Sequence, residues 1–306
     1  MKFATRLNSF KSVAEGTDAI LRAVAGIEGI DYVDLNYPEH FDRSIPELKA
    51  LLAEMNLTVN SVAMRFRSDF VGGEFTNADP AVRREAIELT KKGMDAAAEL
   101  GADSLTVWLG FDGYDYTFQK DYAAAMDMEV AAYQEIADHN PALKISIEYK
   151  PYEERVFALV PNGGITLNVL DRVNRPNMGM TLDFCHQLMA NEQPAFIAAL
   201  ALAQDRLFGI HLNDGHGRTD DGLMIGSVHP FETVELVYYL LRHNYDGVIY
   251  FDTFPIRENP VEEARKNVET LTRIFERVQA AGVDQITKVV QSQDGIQSQA
   301  LRNALV

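Results

Sequence analysis

The sequence predicts an α/β protein folded as a single (β/α)8 TIM barrel with a C-terminal extension. Three observations lead there. Eight short apolar runs rich in Val, Ile, Leu and aromatic residues recur along the chain, starting near Phe3, Tyr32, Leu57, Ser104, Lys144, Met178, Phe208 and Gly247. Helix-like segments with apolar residues at i, i+3 and i+4 separate most of these runs. No G-x-G-x-x-G follows the first run, which weighs against a doubly wound open sheet. Eight alternations of strand and helix are the pattern of a parallel sheet closed on itself.

Taken in order, the first three runs read as buried strands, the third closing in Arg65 and Arg67. The clearest helix follows over Ala81–Gly101, with Val82, Ala86, Leu89, Met94, Ala97 and Leu100 as its apolar stripe. Asp79-Pro80 is a helix-start signal and Gly101 a stop. The fourth run ends in Trp108, the fifth in Glu148-Tyr149-Lys150, and the sixth in Asp183-Phe184-Cys185-His186. The seventh presents His211-Leu212-Asn213-Asp214 and leads into a helix over Pro230–His243, with Val234, Leu236, Val237, Leu240 and Leu241 on its apolar side. The eighth presents Phe251-Asp252. No Pro-, Gly- or Ser-rich linker interrupts the pattern, so residues 1–283 are expected to form the barrel. Residues 284–306 carry Gln and Ser and only sparse apolar positions. They are expected to be an extension, either packed on a neighbouring subunit or loosely ordered.

Composition excludes several classes of function. Of 306 residues, 47% are hydrophobic and the formal net charge is −17, which repels phosphate backbones and acidic membrane surfaces alike. No run of apolar residues is long enough to span a bilayer, and the N-terminal residues lack a secretory signal. The single cysteine, Cys185, permits no internal disulfide and suits a reducing cytoplasm. Cytoplasmic localisation is therefore expected, with neither nucleic acid nor membrane as partner.

In a barrel of this kind, the C-terminal ends of the strands carry the active site. Four successive strands each deliver an acid or an imidazole to one mouth: Glu148, Asp183, His211 and Asp252. Three carboxylates in a confined space repel one another, and a divalent cation relieves that repulsion. Oxygen donors with one imidazole suit Mn2+, with Mg2+ or Co2+ as alternatives, better than a thiolate-rich zinc site.

Glu148-x-Lys150, Asp183-x-x-His186, the run His211-Leu-Asn-Asp-Gly-His-Gly leading to Asp220-Asp221-Gly222, and Phe251-Asp252 together resemble the xylose isomerase-like TIM barrels, above all the xylose and L-rhamnose isomerases. Asn77–Gly110 has the same character; the likeness is thin over the first strand and absent from the last twenty or so residues. The resemblance implies that Glu148, Asp183, His211 and Asp252 hold a first, structural metal. It implies that Lys150 hydrogen-bonds the substrate's carbonyl end, and that His186 and Asp220 belong to a second, catalytic metal site. Two departures stand out. Where these isomerases have an acid-x-acid pair, Asp220 is followed by Asp221 and Gly222, so the second acid is displaced to Asp221 or missing. Where they place a ring-opening histidine on the second strand, this chain has Asn36, with His40 shortly after.

The resemblance implies a metal-dependent aldose–ketose isomerase acting on a small unphosphorylated monosaccharide by a hydride shift between C1 and C2. A ketose 3-epimerase on the same barrel is the first alternative, and a metal-dependent lyase or hydrolase the second. Asp220 or Asp221 would complete the second metal site. Trp108, Asn36, His40 and His216 are candidate substrate contacts, with Trp108 as an apolar wall. Arg65 and Arg67 are read as surface ion pairs in preference to contacts with a carboxylate, phosphate or sulfonate. The aromatic loop Phe111–Phe118 is read as a lid or a subunit contact, in keeping with a homodimer or homotetramer, and Asn162-Gly163-Gly164 as loop punctuation.

Overall fold

A computed structural model describes residues 1–306. All eight expected strands form: β1 Lys2–Arg6, β2 Ile30–Tyr37, β3 Thr58–Met64, β4 Ser104–Val107, β5 Lys144–Glu148, β6 Met178–Asp183, β7 Leu207–Leu212 and β8 Val248–Phe251. Each pairs in parallel with its sequence neighbours and β1 closes on β8, giving the (β/α)8 barrel. The strands are buried on both faces, as β6 is over its whole length, so their sequences read as continuous apolar runs. Inside the barrel a layer of small hydroxyls interrupts the apolar packing: Ser61 Oγ meets Thr106 Oγ1 at 3.0 Å and Ser146 Oγ meets Thr181 Oγ1 at 2.6 Å. Gly209 makes room for that layer, because a Cβ there would stand 2.6 Å from Thr181 Oγ1.

The helices follow the expected signals closely. They are α1 Gly16–Ala25, α2 Ile45–Glu54, α3 Pro80–Leu100, α4 Tyr122–His139, α5 Gly163–Val173, α6 Phe184–Met189, α7 Pro194–Leu202, α8 Pro230–Arg242 and α9 Pro260–Ala281. Asp79 caps α3 by accepting from Ala81 N at 2.8 Å, and Gly101 ends it in the left-handed region at φ 82°. The Asn162-Gly163-Gly164 turn is a helix start: Asn162 Oδ1 caps Ile165 N, and Glu192 Oε1 accepts from Gly163 N at 3.0 Å. An antiparallel ribbon joins Gly113–Tyr114 in the β4–α4 loop to Phe157–Ala158 in the β5–α5 loop. No helix is long and apolar enough to cross a membrane.

The C-terminal segment is neither loose nor unpartnered. It forms α10 Val283–Ser292 and α11 Gly295–Leu305, which fold back on α8 and α9 and bury Ile286 and Leu305. The missing strand signal there reflects a helical hairpin that turns part of its apolar set, Ile286 and Leu305 above all, onto the barrel's own outer helices and leaves Ile296 exposed.

Candidate active site

The strand register explains why four distant acids and imidazoles meet. Asp183 is the last residue of β6 and sits beside His211 of β7, while Glu148 ends β5 opposite Thr181. Asp252 follows directly on β8. The ligand atoms of Glu148, Asp183, His211 and Asp252 all lie within 4.8 Å of one another and all four side chains are buried. Asp183, His186 and Asp220 form a second such group, so Asp183 is common to both. The Asp183 carboxylate also caps α6 through His186 N at 2.9 Å, which fixes the turn that brings His186 inward.

Neighbouring groups orient each donor. His186 Nδ1 hydrogen-bonds the Tyr149 carbonyl at 3.0 Å, leaving Nε2 toward Asp220 Oδ2 at 3.2 Å. His211 Nδ1 lies 3.1 Å from Glu148 Oε1. Asn213 Nδ2 donates to Asp183 Oδ2 at 3.1 Å and to the Asp252 carbonyl at 3.1 Å, tying the two strand ends together. Polarised ligands held by an outer ring of hydrogen bonds are characteristic of metal centres.

The electrostatics show a cluster short of positive charge. Burial opposes charge on His211, yet Glu148 and Asp252 outweigh it and push the imidazole up to about 10. Burial likewise opposes charge on His186, and Asp183 and Asp220 push it up to about 9. Burial raises Asp183 to about 7, and raises Asp252 as well. Asp220 Oδ1 is buried without a hydrogen-bond partner, and so is Asp252 Oδ1, which has Arg6 Nε at 3.2 Å but outside hydrogen-bonding geometry. Four carboxylates and two imidazoles with orphaned oxygens fit a divalent cation, which would replace the protons the imidazoles now hold.

Around this cluster stand three cations. Arg6 leans on Asp252 and lies 4.6 Å from the Phe254 ring centroid. Lys150 Nζ is 3.1 Å from Asp220 Oδ2 and 2.6 Å from Glu153 Oε1. Burial opposes its charge, but these two carboxylates push it up to about 12, so it stays an ammonium. Arg65 pairs with no carboxylate, contrary to the surface ion pair expected of it; its guanidinium lies 5.5 Å from the Trp108 ring centroid, as does Lys150 Nζ. Arg67, by contrast, pairs with Glu39 at 3.7 Å. Trp108, one residue beyond β4, thus forms a wall of the mouth and lines a cavity of about 670 Å3 running toward Lys120 and Arg155.

Other expected residues are placed differently. Asp221 is not brought to the cluster: its oxygens accept from Thr219 Oγ1 at 2.8 Å and His216 N at 2.7 Å, which locks the loop that presents Asp220. His216 is exposed, with no hydrogen bond to its ring. His40 is buried and pushed down to about 4 by that burial. Its Nδ1 accepts from Asn36 N at 2.9 Å and its Nε2 meets Asn8 Oδ1 at 3.1 Å, so both nitrogens are engaged by the protein. Asn36 is buried, and its amide reaches only Glu39, at 3.5 Å.

Sequence reasoning passed over several residues. Asn213 shares its strand face with His211 by the two-residue alternation, a signal that was there to read. Asp34 lies under the cluster, raised by burial to about 6 and held by Asn60 Nδ2 at 2.8 Å. A second buried set gathers around Asp112: Glu74, Glu129 and Tyr133. Asp112 accepts from the backbone of Glu74, Phe75 and Thr76 and from Thr76 Oγ1, clamping the β3–α3 loop onto the β4–α4 loop.

Three comparisons bear on this geometry. The family model described as xylose isomerase-like TIM barrel matches residues 21–274. A xylose isomerase of Thermus thermophilus is 32% identical over 259 residues, covering 79% of this chain and 66% of that protein, a little under two thirds of its length. Among solved structures, a xylose isomerase domain protein from Alicyclobacillus acidocaldarius superposes with a TM-score of 0.71 at 18% identity, over 91% of this chain and 99% of that one. A D-allulose 3-epimerase from Methylomonas sp. gives a TM-score of 0.70 at 21% identity, over 90% and 98% respectively. At these identities the two structures establish likeness of fold alone.

Proposed function

The chain belongs to the xylose isomerase-like TIM barrel family, and from that premise we propose that it is a divalent-metal-dependent aldose–ketose isomerase of a small monosaccharide, with Mn2+ the expected ion. The observation that carries this reading is the juxtaposition of two buried donor groups sharing Asp183 with an ammonium, Lys150, against the Trp108 wall. Glu148, Asp183, His211 and Asp252 would hold the first ion, and Asp183, His186 and Asp220 a second, more weakly held one. A bound divalent cation supplies the charge that polarises a carbonyl and its adjacent hydroxyl.

The chain's own groups do the rest. Lys150, kept protonated by Asp220 and Glu153, donates a hydrogen bond to the substrate oxygen on which negative charge grows. It cannot act as a base at neutral pH, which favours a hydride moving directly from C2 to C1 while the hydroxyl proton passes from O2 to O1. Trp108 covers the carbon face of the sugar and keeps water from it. His40 has no free nitrogen to open a ring, and this supports entry of the sugar in open-chain form.

A ketose 3-epimerase is the second reading, and one observation favours it. The second donor group has only three members, with Asp221 turned away and Gly222 in the place of a further acid. That is a poor two-metal centre but leaves the first site whole. Product chromatography with chelator-stripped and Mn2+-loaded protein on C5 and C6 aldoses and ketoses separates the readings. The isomerase reading expects metal-dependent aldose-to-ketose conversion, abolished by Glu148→Gln and cut at least a hundredfold by Lys150→Met. Ketose-to-ketose conversion would replace it with the epimerase, and cleavage products with a lyase or hydrolase. We also take the exposed aromatic loop at Tyr116 and Phe118 as the contact of a homodimer or homotetramer, which sedimentation of the Phe118→Ser variant tests.

A further inference from the structure

Of the three cations at the mouth, two are already neutralised. Arg6 stands against Asp252, and Lys150 is held between Asp220 and Glu153. Arg65 is the exception. It follows directly on β3, is half-buried, and makes no side-chain hydrogen bond or ion pair. Its position is nonetheless fixed: the backbone N donates to the Tyr37 carbonyl at 2.9 Å, and the guanidinium packs against the only tryptophan. Its charge is felt at both Glu148 and His40, which places it at the edge of the cluster. A guanidinium laid against an aromatic face with its donors unspent is pre-organised for a planar, bidentate acceptor. It also shares Trp108 with the Lys150 ammonium, whose charge Asp220 and Glu153 already balance, so a neutral ligand would leave Arg65 alone without a counter-charge.

We propose that Arg65 binds a carboxylate of the substrate, so that the sugar handled at this mouth is an acidic monosaccharide, a uronate or a related aldose or ketose acid. The assignment rests on the sugar-isomerase reading for the chemistry at the metal-facing end, and extends it by naming the substrate class. One guanidinium matches one carboxylate. A phosphate dianion would call for further donors, and neither Arg6 nor Lys150 is free to supply them.

Trp108, as the sole tryptophan, makes its fluorescence a local reporter of occupancy. Mn2+-loaded protein is titrated with D-glucuronate against D-glucose and with D-galacturonate against D-galactose, pairs that differ only by a carboxylate for a hydroxymethyl group. The uronates are expected to bind at least about tenfold tighter, with the difference shrinking as salt is added. Arg65→Met should weaken uronate binding by about ten- to a hundredfold and leave the neutral sugars unchanged, with Arg65→Lys between. Equal affinity within each pair, no uronate binding, or an Arg65→Met variant that keeps the preference would overturn the assignment, the last by placing the carboxylate on the metal. Tighter binding of D-glucose 6-phosphate than of D-glucuronate would overturn it in favour of phosphate. The two claims fail separately. Arg65-dependent uronate binding without turnover sinks the isomerase reading, whereas turnover of uronates untouched by Arg65→Met sinks this one.

Discussion

Adding Mn2+ to the metal-free protein should release protons, and the amount follows from His211. Its neighbours push the imidazole up to about 10 in the metal-free site, so it is an imidazolium at pH 7, whereas a ligand must offer a neutral nitrogen. The three pH units between those values oppose metal binding by about 4 kcal/mol. Asp183, raised by burial to about 7, is half protonated at neutral pH and adds about half a proton to the one from His211. Calorimetry at pH 7 in buffers of different ionisation enthalpy reads this number as the slope of observed against buffer enthalpy. The expected slope is between about one and one and a half protons per first ion, and apparent affinity should rise about tenfold per pH unit from about pH 7 to 9. His211→Gln should remove the larger part of the slope. A slope of zero, with affinity flat across that range, would refute the picture of imidazolium counter-charges holding the empty cluster together.

The same groups set stability. His186 and His211 sit above their ordinary value of 6.5, at about 9 and 10. Their contribution is therefore fully present below pH 6.5 and is lost as pH rises through those values. Thermal melts of metal-free protein should fall across that window while Mn2+-loaded protein holds. Glu129 lies buried on α4 with Oε2 unpartnered and its carboxyl raised well above 4.5 by burial. Native protein should accordingly lose stability relative to Glu129→Gln as pH climbs from 4.5, by up to about 1.4 kcal/mol per pH unit. Parallel pH–stability curves would count against this. Asp112→Ala would strand three backbone N–H groups and a hydroxyl inside the protein, costing about 3–5 kcal/mol by denaturant unfolding, whereas a surface substitution such as Glu85→Ala should cost about 0.5 kcal/mol or less.

The barrel was legible because parallel strands buried on both faces leave an unmistakable apolar signature, and each β-run stood where the strand stands. The convergence of the four strand-end residues was legible for a related reason: an acid or imidazole closing an apolar run has few structural uses. What escaped the sequence depended on register and loop path. Asp220 and Asp221 are neighbours in the chain, and only the hydrogen bonds of the loop decide that the first faces His186 while the second braces Thr219 and His216. Glu129 falls on the apolar face of α4, between Ala125 and Tyr133, and that misplaced charge was a readable sign of a buried carboxyl. Arg65 and Arg67 stand two residues apart, so strand alternation would put them on one side; both follow the end of β3, and only the path of the loop brings Arg67 to Glu39 and leaves Arg65 against Trp108. The final two helices lacked a strand pattern because they are helices with sparse apolar residues, of which Ile286 and Leu305 are buried against the barrel's outer helices.

The central claim, hydrogen transfer without exchange at a metal-dependent sugar site, is tested most directly by isotope. Mn2+-loaded protein is incubated with aldoses and aldose acids carrying deuterium at C2, in ordinary water, and the ketose is read by NMR. The expected product retains the deuterium at C1, forms at least about a hundredfold more slowly with Lys150→Met and does not form with chelator-stripped protein. Loss of the deuterium to solvent would mean proton transfer through a base, contradicting the role given to Lys150; the absence of any ketose would contradict the isomerase itself.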